Sequence, residues 1–160
     1  MDRVLLSLVA APFVFAACVI ATRAPALRSA AALVGGAAFG AGNIGWDVLA
    51  HAAGWWSYPS ASGHGPLIWY AAAGLSAAGV SLLGWRARRR FGAPGGLVFL
   101  VAFAVFCVLR DWRVAHAPGA VIVFAPGPLP WLADGAAAFT LMALALGLQR
   151  AHAPGEIRAR

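Results

Sequence analysis

The chain has 160 residues, of which 62% are hydrophobic and 11% are charged, and its formal net charge is +7 at pH 7. Soluble domains average about 45–50% apolar and about 25% charged residues. The composition therefore excludes an ordinary soluble domain and is typical of a membrane protein. The two cysteines, Cys18 and Cys107, both fall in apolar stretches and give no disulfide framework.

Five apolar segments are long enough to cross a bilayer, for which about 20 residues are needed. In chain order they cover residues 4–22, 29–53, 66–84, 95–112 and 129–148. The connections are short, so we expect an all-α, polytopic membrane bundle of five transmembrane helices. Residues 1–150 are expected to form its single transmembrane domain, with a short cytoplasmic tail at 151–160. We expect the first segment to be a retained helix and not a cleaved signal peptide.

All twelve basic residues are arginines, and their positions predict the orientation of the chain in a bacterial-type inner membrane. With the N-terminus outside and the C-terminus in the cytoplasm, nine arginines lie inside and three outside. The inner set is Arg23, Arg28, Arg86, Arg88, Arg89, Arg90, Arg150, Arg158 and Arg160, and the outer set is Arg3, Arg110 and Arg113. This bias follows the positive-inside rule. It makes the run at 86–90 a loop able to touch anionic lipid, and it argues against nucleic acid as a partner.

The second segment combines small residues with a polar stripe. The stretch GGAAFG at 35–40 has the small-xxx-small spacing that lets helices approach closely, which predicts a central position. Asn43, Asp47 and His51 are four residues apart and therefore share one helix face. We expect this face to point into the bundle.

Six ionisable residues fall at the outer ends of segments 2 to 5: Asp47, His51, His64, Asp111, His116 and Asp134. Charged groups inside membrane segments usually mark functional sites, because leaving them in hydrocarbon is costly. The sequence therefore predicts a pocket in the outer half of the bundle. Asp47 lies at its centre, and Asp111 and Asp134 are the other catalytic acids.

Aromatic residues recur at the same depth: Trp46, Trp55, Trp56, Tyr58, Trp69, Tyr70, Trp112 and Trp131. Two interpretations stay open. They form either a belt at the lipid headgroups or a pocket wall that holds an apolar polyene or stabilises a cation. In the second interpretation they bind substrate together with Asn43 and Arg110.

The two halves of the chain share a pattern. Residues 50–54 read AHAAG and are followed at 65–69 by GPLIW, while residues 115–119 read AHAPG and are followed at 127–131 by GPLPW. This favours two similar helical hairpins in parallel orientation, with sites at their interface. Chance similarity in a chain rich in Ala, Gly and Pro is the alternative.

The acids favour proton-transfer chemistry on an apolar substrate. A carboxyl group removed from water keeps its proton and can donate it. An isoprenoid double bond is a suitable acceptor, and aromatic faces with a second carboxylate would stabilise the resulting cation. Arg110, next to Asp111, is instead placed to hold one acid ionised.

Trp46-Asp47, six residues, Gly54, any residue, Trp56, any residue and Tyr58 resemble a stretch of the small polytopic lycopene cyclases, which are built from lycopene cyclase domains. Residues 129–134, LPWLAD, resemble that family's Pro-x-Glu-Asp pattern, with Asp134 as the counterpart. Residues 66–69, PLIW, stand where the family has Pro-Leu-Glu-Glu. The resemblance implies an isoprenoid or carotenoid-like lipid substrate and cyclase-like, isomerase or lyase activity, without a cofactor.

A metal site is the first alternative. Asp47-x3-His51-x12-His64 offers a carboxylate and two imidazoles, which suit copper, zinc or iron. The spacing is similar to the copper-ligand set in the C subunit of copper membrane monooxygenases, and the likeness extends to Asp111-Trp112 before His116. It implies copper as the cofactor.

A structural role is the second alternative. The chain would then be a non-enzymatic accessory subunit of a larger membrane complex, or a homo-oligomer. Its three acids would cap helix ends or pair with Arg110 and Arg113.

Overall fold

The computed structural model of the chain describes residues 3–58 and 64–153. It contains four helices and two two-residue strands: α1 (Arg3–Thr22), α2 (Ala26–Ala52), β1 (Trp56–Ser57), α3 (Leu67–Ala115), β2 (Val123–Phe124) and α4 (Leu129–His152). The predicted all-helical class is therefore confirmed apart from the small sheet. Helix α4 continues to His152, so the first two residues of the predicted tail are helical. The rest of that tail, from residue 154, lies outside the described residues.

Helix α3 reverses direction at Gly92. This residue has φ 69° and ψ −157°, a conformation that glycine adopts readily and other residues do not. A Cβ on Gly84 would lie 2.5 Å from Cε1 of Phe99, and a Cβ on Gly96 would lie 3.5 Å from Cβ of Arg88. Residues on either side of Gly92 therefore meet, and the segments 67–91 and 93–115 run back along each other. Four helices stand where five are predicted because the reversal takes place at one residue, without a loop.

Two helices, α3 and α4, are long and apolar enough to cross a membrane, and α1 carries a shorter apolar stretch at Leu6–Thr22. Large apolar side chains also lie on the outer surface of the bundle. Phe13 and Ile20 are 72% and 76% exposed, and Phe91 is 63% exposed. Exposed apolar surface of this kind, where it is continuous, marks contact with a membrane or with another protein.

Helix α2 packs closely against α3 and α4. A Cβ on Gly36 would overlap the carbonyl oxygen of Gly74, and one on Gly40 would lie 2.7 Å from that of Tyr70. A Cβ on Gly35 would lie 2.5 Å from the carbonyl oxygen of Ala145 in α4. The glycines thus let three backbones approach, as the small-residue spacing predicts.

Two arginines hold helix ends together at one end of the bundle. Buried Arg28 donates from Nη1 to the Gln149 carbonyl oxygen (3.2 Å) and from Nη2 to that of Ala153 (2.5 Å). Arg86 donates from Nη1 to the carbonyl oxygens of Ala21 (3.2 Å) and Thr22 (2.8 Å). The last carbonyls of a helix lack partners within the helix, so these bonds stabilise the ends of α1 and α4. We call this the arginine end. The opposite end of the bundle, which carries Asp47, Asp111 and Asp134, is called the acidic end.

The two strands join the connections at the acidic end. β1 pairs antiparallel with β2, with Trp56 opposite Phe124 and Ser57 opposite Val123. The Ala125 N–H also donates to the carbonyl oxygen of Trp55 (2.8 Å). β1 follows α2 and β2 follows α3, so the connections that the repeated pattern makes equivalent touch each other. We call this two-stranded sheet the cap.

Candidate functional site

A cavity of about 430 Å³ lies at the acidic end, between the helices and the cap. Asp47, Asp111 and Asp134, the three predicted acids, all line it. Its other polar wall residues include Asn43 and Arg110. The rest of the wall is largely apolar, with Phe39, Ala77, Val80, Phe103 and Phe106 among its residues.

The Asp47 side chain, 6% exposed, accepts three hydrogen bonds. Trp56 Nε1–H donates to Oδ1 (3.2 Å), and the hydroxyls of Tyr58 (2.6 Å) and Tyr70 (2.5 Å) donate to Oδ2. Trp56 belongs to the cap, Tyr58 follows it directly, and Tyr70 lies in the first turn of α3. The carboxylate therefore ties the cap and α3 to α2, and the three donors stabilise its negative charge.

The two tyrosines keep their donor role. Burial, followed by the nearby Asp47 charge, raises the pKa of Tyr58 well above its ordinary value, so this phenol stays protonated. The Tyr70 hydroxyl accepts a hydrogen bond from the Gly65 N–H (2.8 Å) while it donates to Asp47. The cluster is thus a directed network that ends on the Asp47 carboxylate.

Asp111 has a charged partner. Arg110 donates from Nε to Oδ1 and from Nη2 to Oδ2, both at 2.7 Å. The Arg110 side chain is 50% exposed and that of Asp111 is 18% exposed. The guanidinium of Arg110 therefore pairs with both carboxylate oxygens of Asp111 in a two-point geometry.

Asp134, in α4, differs from Asp47 and Asp111 in its hydrogen bonding. Its Oδ2 atom is enclosed, and no donor reaches it from the part of the chain that the structure describes. Asp111, Arg110 and Asp47 are the charges that act on it. An enclosed carboxyl oxygen without a donor lacks the hydrogen bond that would offset the cost of burying a negative charge. Among the three acids, Asp134 is therefore the one suited to carry a proton.

Two indole groups in the cavity wall are also unsatisfied. The Nε1 atoms of Trp46 and Trp69 are buried and have no hydrogen-bond partner within residues 3–58 and 64–153. Buried polar groups are normally satisfied, and exceptions in a native structure call for an explanation such as a ligand or a functional role. The wall therefore holds two unused donors as well as the unpaired oxygen of Asp134, within the described residues.

The predicted aromatic residues divide into two groups. Trp46, Trp56, Tyr58, Trp69 and Tyr70 line the cavity.

Trp55, Trp112 and Trp131 do not line the cavity. Trp55 packs between Trp46 and Trp56, with ring centroids 6.1 and 6.5 Å away. Trp131 stacks on Phe124 of the cap at 3.9 Å. Trp112 is 51% exposed. Trp55 therefore contacts Trp56 of the cap and Trp131 contacts Phe124. The substrate-binding role predicted for Trp55, Trp112 and Trp131 stays a prediction.

The predicted polar stripe of α2 is only partly correct. Asn43 and Asp47 line the cavity, but His51 is exposed and does not. Each four-residue step turns a helix by about 40° beyond a full turn, and His51 lies in the last turn of α2, outside the cavity.

The described residues give the copper hypothesis no geometric support. No group of three His, Cys, Asp or Glu side chains within them is placed to hold a metal. His64 Nδ1 lies 2.7 Å from the Gly65 carbonyl oxygen, and His116 Nδ1 lies 2.8 Å from that of Trp112. Both Asp47 oxygens already accept hydrogen bonds. The metal alternative stays a prediction.

Some cavity residues were not predicted. Phe103 and Cys107 precede Asp111 at steps of four residues and line the same cavity. The helical spacing that groups Asn43 with Asp47 would have found them, had it been applied backwards from Asp111. Ser76 also lines the cavity, and nothing in the sequence distinguishes it from other small residues of α3.

Within the stretch at 46–58, Asp47, Trp56 and Tyr58 are joined by hydrogen bonds. No protein-family model, curated protein or solved structure matches the chain.

Proposed function

We propose that the chain is a multi-pass protein of a bacterial-type inner membrane, with five spanning segments, its N-terminus outside and its C-terminus in the cytoplasm. The segments are α1, α2, the two parts of α3, and α4. Support comes from the hydrogen bonds of Arg28 and Arg86, which gather the ends of α1 and α4 at the arginine end. The reversal at Gly92 adds two antiparallel segments. With basic residues at one end, the positive-inside rule gives the orientation.

We further propose that the cavity binds an isoprenoid or carotenoid-like lipid. Its volume of about 430 Å³ falls within the about 300–1,000 Å³ typical of small-molecule sites. This volume suits one end of a long polyene. The apolar part of the wall matches such a chain, and the acids lie at one side of it.

The chemistry that best fits the site is proton transfer from Asp134. The observation that carries this proposal is its enclosed Oδ2 atom, which has no hydrogen-bond partner among residues 3–58 and 64–153. Asp134 donates a proton to a double bond, which forms a C–H bond and leaves a positive charge on the neighbouring carbon. Aromatic side chains and the ionised Asp47 stabilise that charge. Loss of a proton from an adjacent carbon then returns a proton to the site. The net change is an isomerisation or cyclisation that requires no oxidant.

Deuterium exchange tests this chemistry. The full chain is reconstituted in lipid nanodiscs with lycopene, or with its fully saturated counterpart, in D₂O buffer. Mass spectrometry is expected to find deuterium in lycopene and none in the saturated hydrocarbon. Asp134→Asn should lower the exchange rate at least about 100-fold, the usual contribution of a general acid. The exposed His51→Gln serves as the control and should exchange like the original chain.

Three outcomes would contradict the proposal. Lycopene that is retained without deuterium would indicate a binding protein without acid chemistry. Loss of exchange in His51→Gln, or on chelation, would favour the metal site instead. Exchange that persists in Asp134→Asn would remove this acid from the mechanism.

A further inference from the structure

Three consecutive arginines lie at the arginine end, directly before the reversal of α3. Arg88, Arg89 and Arg90 are exposed and end the first segment of α3, followed by Phe91 and Gly92. We call these three residues the arginine turn. They take no part in the cavity or in the contacts that hold the helix ends.

Each side chain of the arginine turn is supported by a neighbour. The stem of Arg88 lies beside Gly96, where an added Cβ would be 3.5–3.6 Å from its Cβ, Cγ and Cδ atoms. The guanidinium carbon of Arg89 is 5.6 Å from the ring centroid of Trp85, and that of Arg90 is 5.3 Å from the ring of Phe91. Both distances suit cation–π contacts. The three side chains are therefore partly ordered before any ligand binds, which lowers the entropy cost of binding.

The charge of the arginine turn is not neutralised within the described parts of the chain. Their acidic residues, Asp47, Asp111 and Asp134, line the cavity at the other end of the bundle. The ion pair among these residues joins Arg110 to Asp111 and does not involve the arginine turn. The turn thus presents three positive charges that no carboxylate of residues 3–58 or 64–153 balances.

We propose that the arginine turn binds the phosphate groups of anionic phospholipids in the cytoplasmic leaflet. Guanidinium groups match phosphate oxygens in a two-point geometry, and the exposed Phe91 is placed to enter the adjoining acyl region. Consecutive helical residues point about 100° apart, so the three arginines contact several headgroups around the helix and not one. The proposal rests on the membrane arrangement proposed above and is independent of the acid chemistry of Asp134.

Native mass spectrometry of the full chain tests this binding. The protein in neutral detergent is titrated with phosphatidylglycerol or with phosphatidylcholine of the same acyl chains. We expect it to retain more than one phosphatidylglycerol and to bind phosphatidylcholine weakly. Arg88→Gln, Arg89→Gln and Arg90→Gln should each weaken phosphatidylglycerol binding about fivefold, the value that one interfacial basic residue contributes.

The matched control is Arg113→Gln, which removes the same charge from an exposed position in the last turn of α3, at the acidic end. It should retain phosphatidylglycerol like the original chain, and circular dichroism should show unchanged helix content in all variants. Equal loss in Arg113→Gln would mean that net charge alone attracts the lipid, and unchanged binding in the three turn variants would overturn the site. Displacement by inorganic phosphate at equal concentration would identify a free-anion site instead.

Asp134→Asn separates the two proposals. This variant should lose deuterium exchange and keep phosphatidylglycerol. In the original chain, absent exchange with intact phosphatidylglycerol binding would leave only the arginine turn standing. Exchange without phosphatidylglycerol binding would leave only the acid chemistry standing.

Discussion

The acids of the two helical hairpins differ in their hydrogen-bond partners. In the first hairpin (residues 26–91), Asp47 receives three hydrogen bonds from neutral aromatic side chains. In the second hairpin (residues 93–152), Asp111 is paired with Arg110, while Asp134 keeps an oxygen without a donor. Burial alone therefore does not decide what an acid does. The two hairpins differ in the hydrogen-bond donors that they supply to their acids, and under the proposed function the chemistry belongs to the second hairpin.

The predicted repeat offers an explanation of the difference when the two hairpins are aligned on the similar stretches at 50–54 and 115–119. The donors Trp56 and Tyr58 of the first hairpin correspond to Val121 and Val123 of the second, counted from the histidines. Tyr70 corresponds to Leu132 when the count starts from the Gly-Pro-Leu motif. The second hairpin has apolar side chains at all three donor positions, so a carboxyl group there must find an arginine or stay unpaired.

The largest effect is expected from Asp47→Asn. The amide cannot accept from all three donors and turns an N–H₂ group toward one of them. Hydrogen bonds to a charged group contribute about 1.5–3 kcal/mol each, so we expect a loss of about 3–5 kcal/mol in the free energy of unfolding, measured by denaturant titration in detergent micelles. Asp111→Asn, at a partly exposed position, should lose much less. Equal losses in both variants would mean that the aromatic network adds no stability.

A smaller effect of opposite sign is expected from Asp134→Leu. The change removes an unsatisfied buried oxygen and keeps the branching and the number of side-chain heavy atoms, and the larger methyl groups extend into the cavity. It should therefore stabilise the fold by about 1–2 kcal/mol. The same variant should show no deuterium exchange, because the proton donor is gone. Thermal unfolding in nanodiscs measures the first expectation. A destabilised Asp134→Leu would show that Asp134 has a structural partner and belongs with Asp47.

The smallest effect is expected from Arg110→Gln. Its ion pair with Asp111 has good two-point geometry, but half of the arginine side chain is exposed and water screens the interaction. We expect a loss of roughly 0.5–1 kcal/mol, as for other exposed pairs, which should shrink further at high salt. A loss that is large and independent of salt would place this pair in the same structural class as the Asp47 network.

Much of the fold follows from sequence patterns, for reasons that are local. Apolar length predicts the helices, and the glycine spacing predicts the close packing of α2 at Gly36 and Gly40. The grouping of Asp47, Asp111 and Asp134 in one region follows from their equal depth along the predicted segments. These properties depend on composition and helical spacing within single elements.

The features that the sequence patterns do not predict depend on how helices and strands pack against each other. The strands of the cap have two residues each, too few for any alternation to be visible. The donor-free state of Asp134 depends on the rotation of α4 relative to α3, which no single helix specifies. The outward position of His51 depends on where the cavity ends along α2. Each of these is set by tertiary packing.

The cap affects the route by which a ligand can enter the cavity. The pairing of Trp56 with Phe124 joins the two connections at the acidic end. The hydrogen bond from Trp56 Nε1 to Asp47 holds the cap to α2. Under the proposed function, a long hydrocarbon would enter the cavity laterally from the bilayer, through an opening between helices. Ser7 and Ala10 of α1 are exposed residues that also border the cavity, so under the proposed function this opening would lie beside α1. Substrate and product would then enter and leave without passing through the aqueous phase.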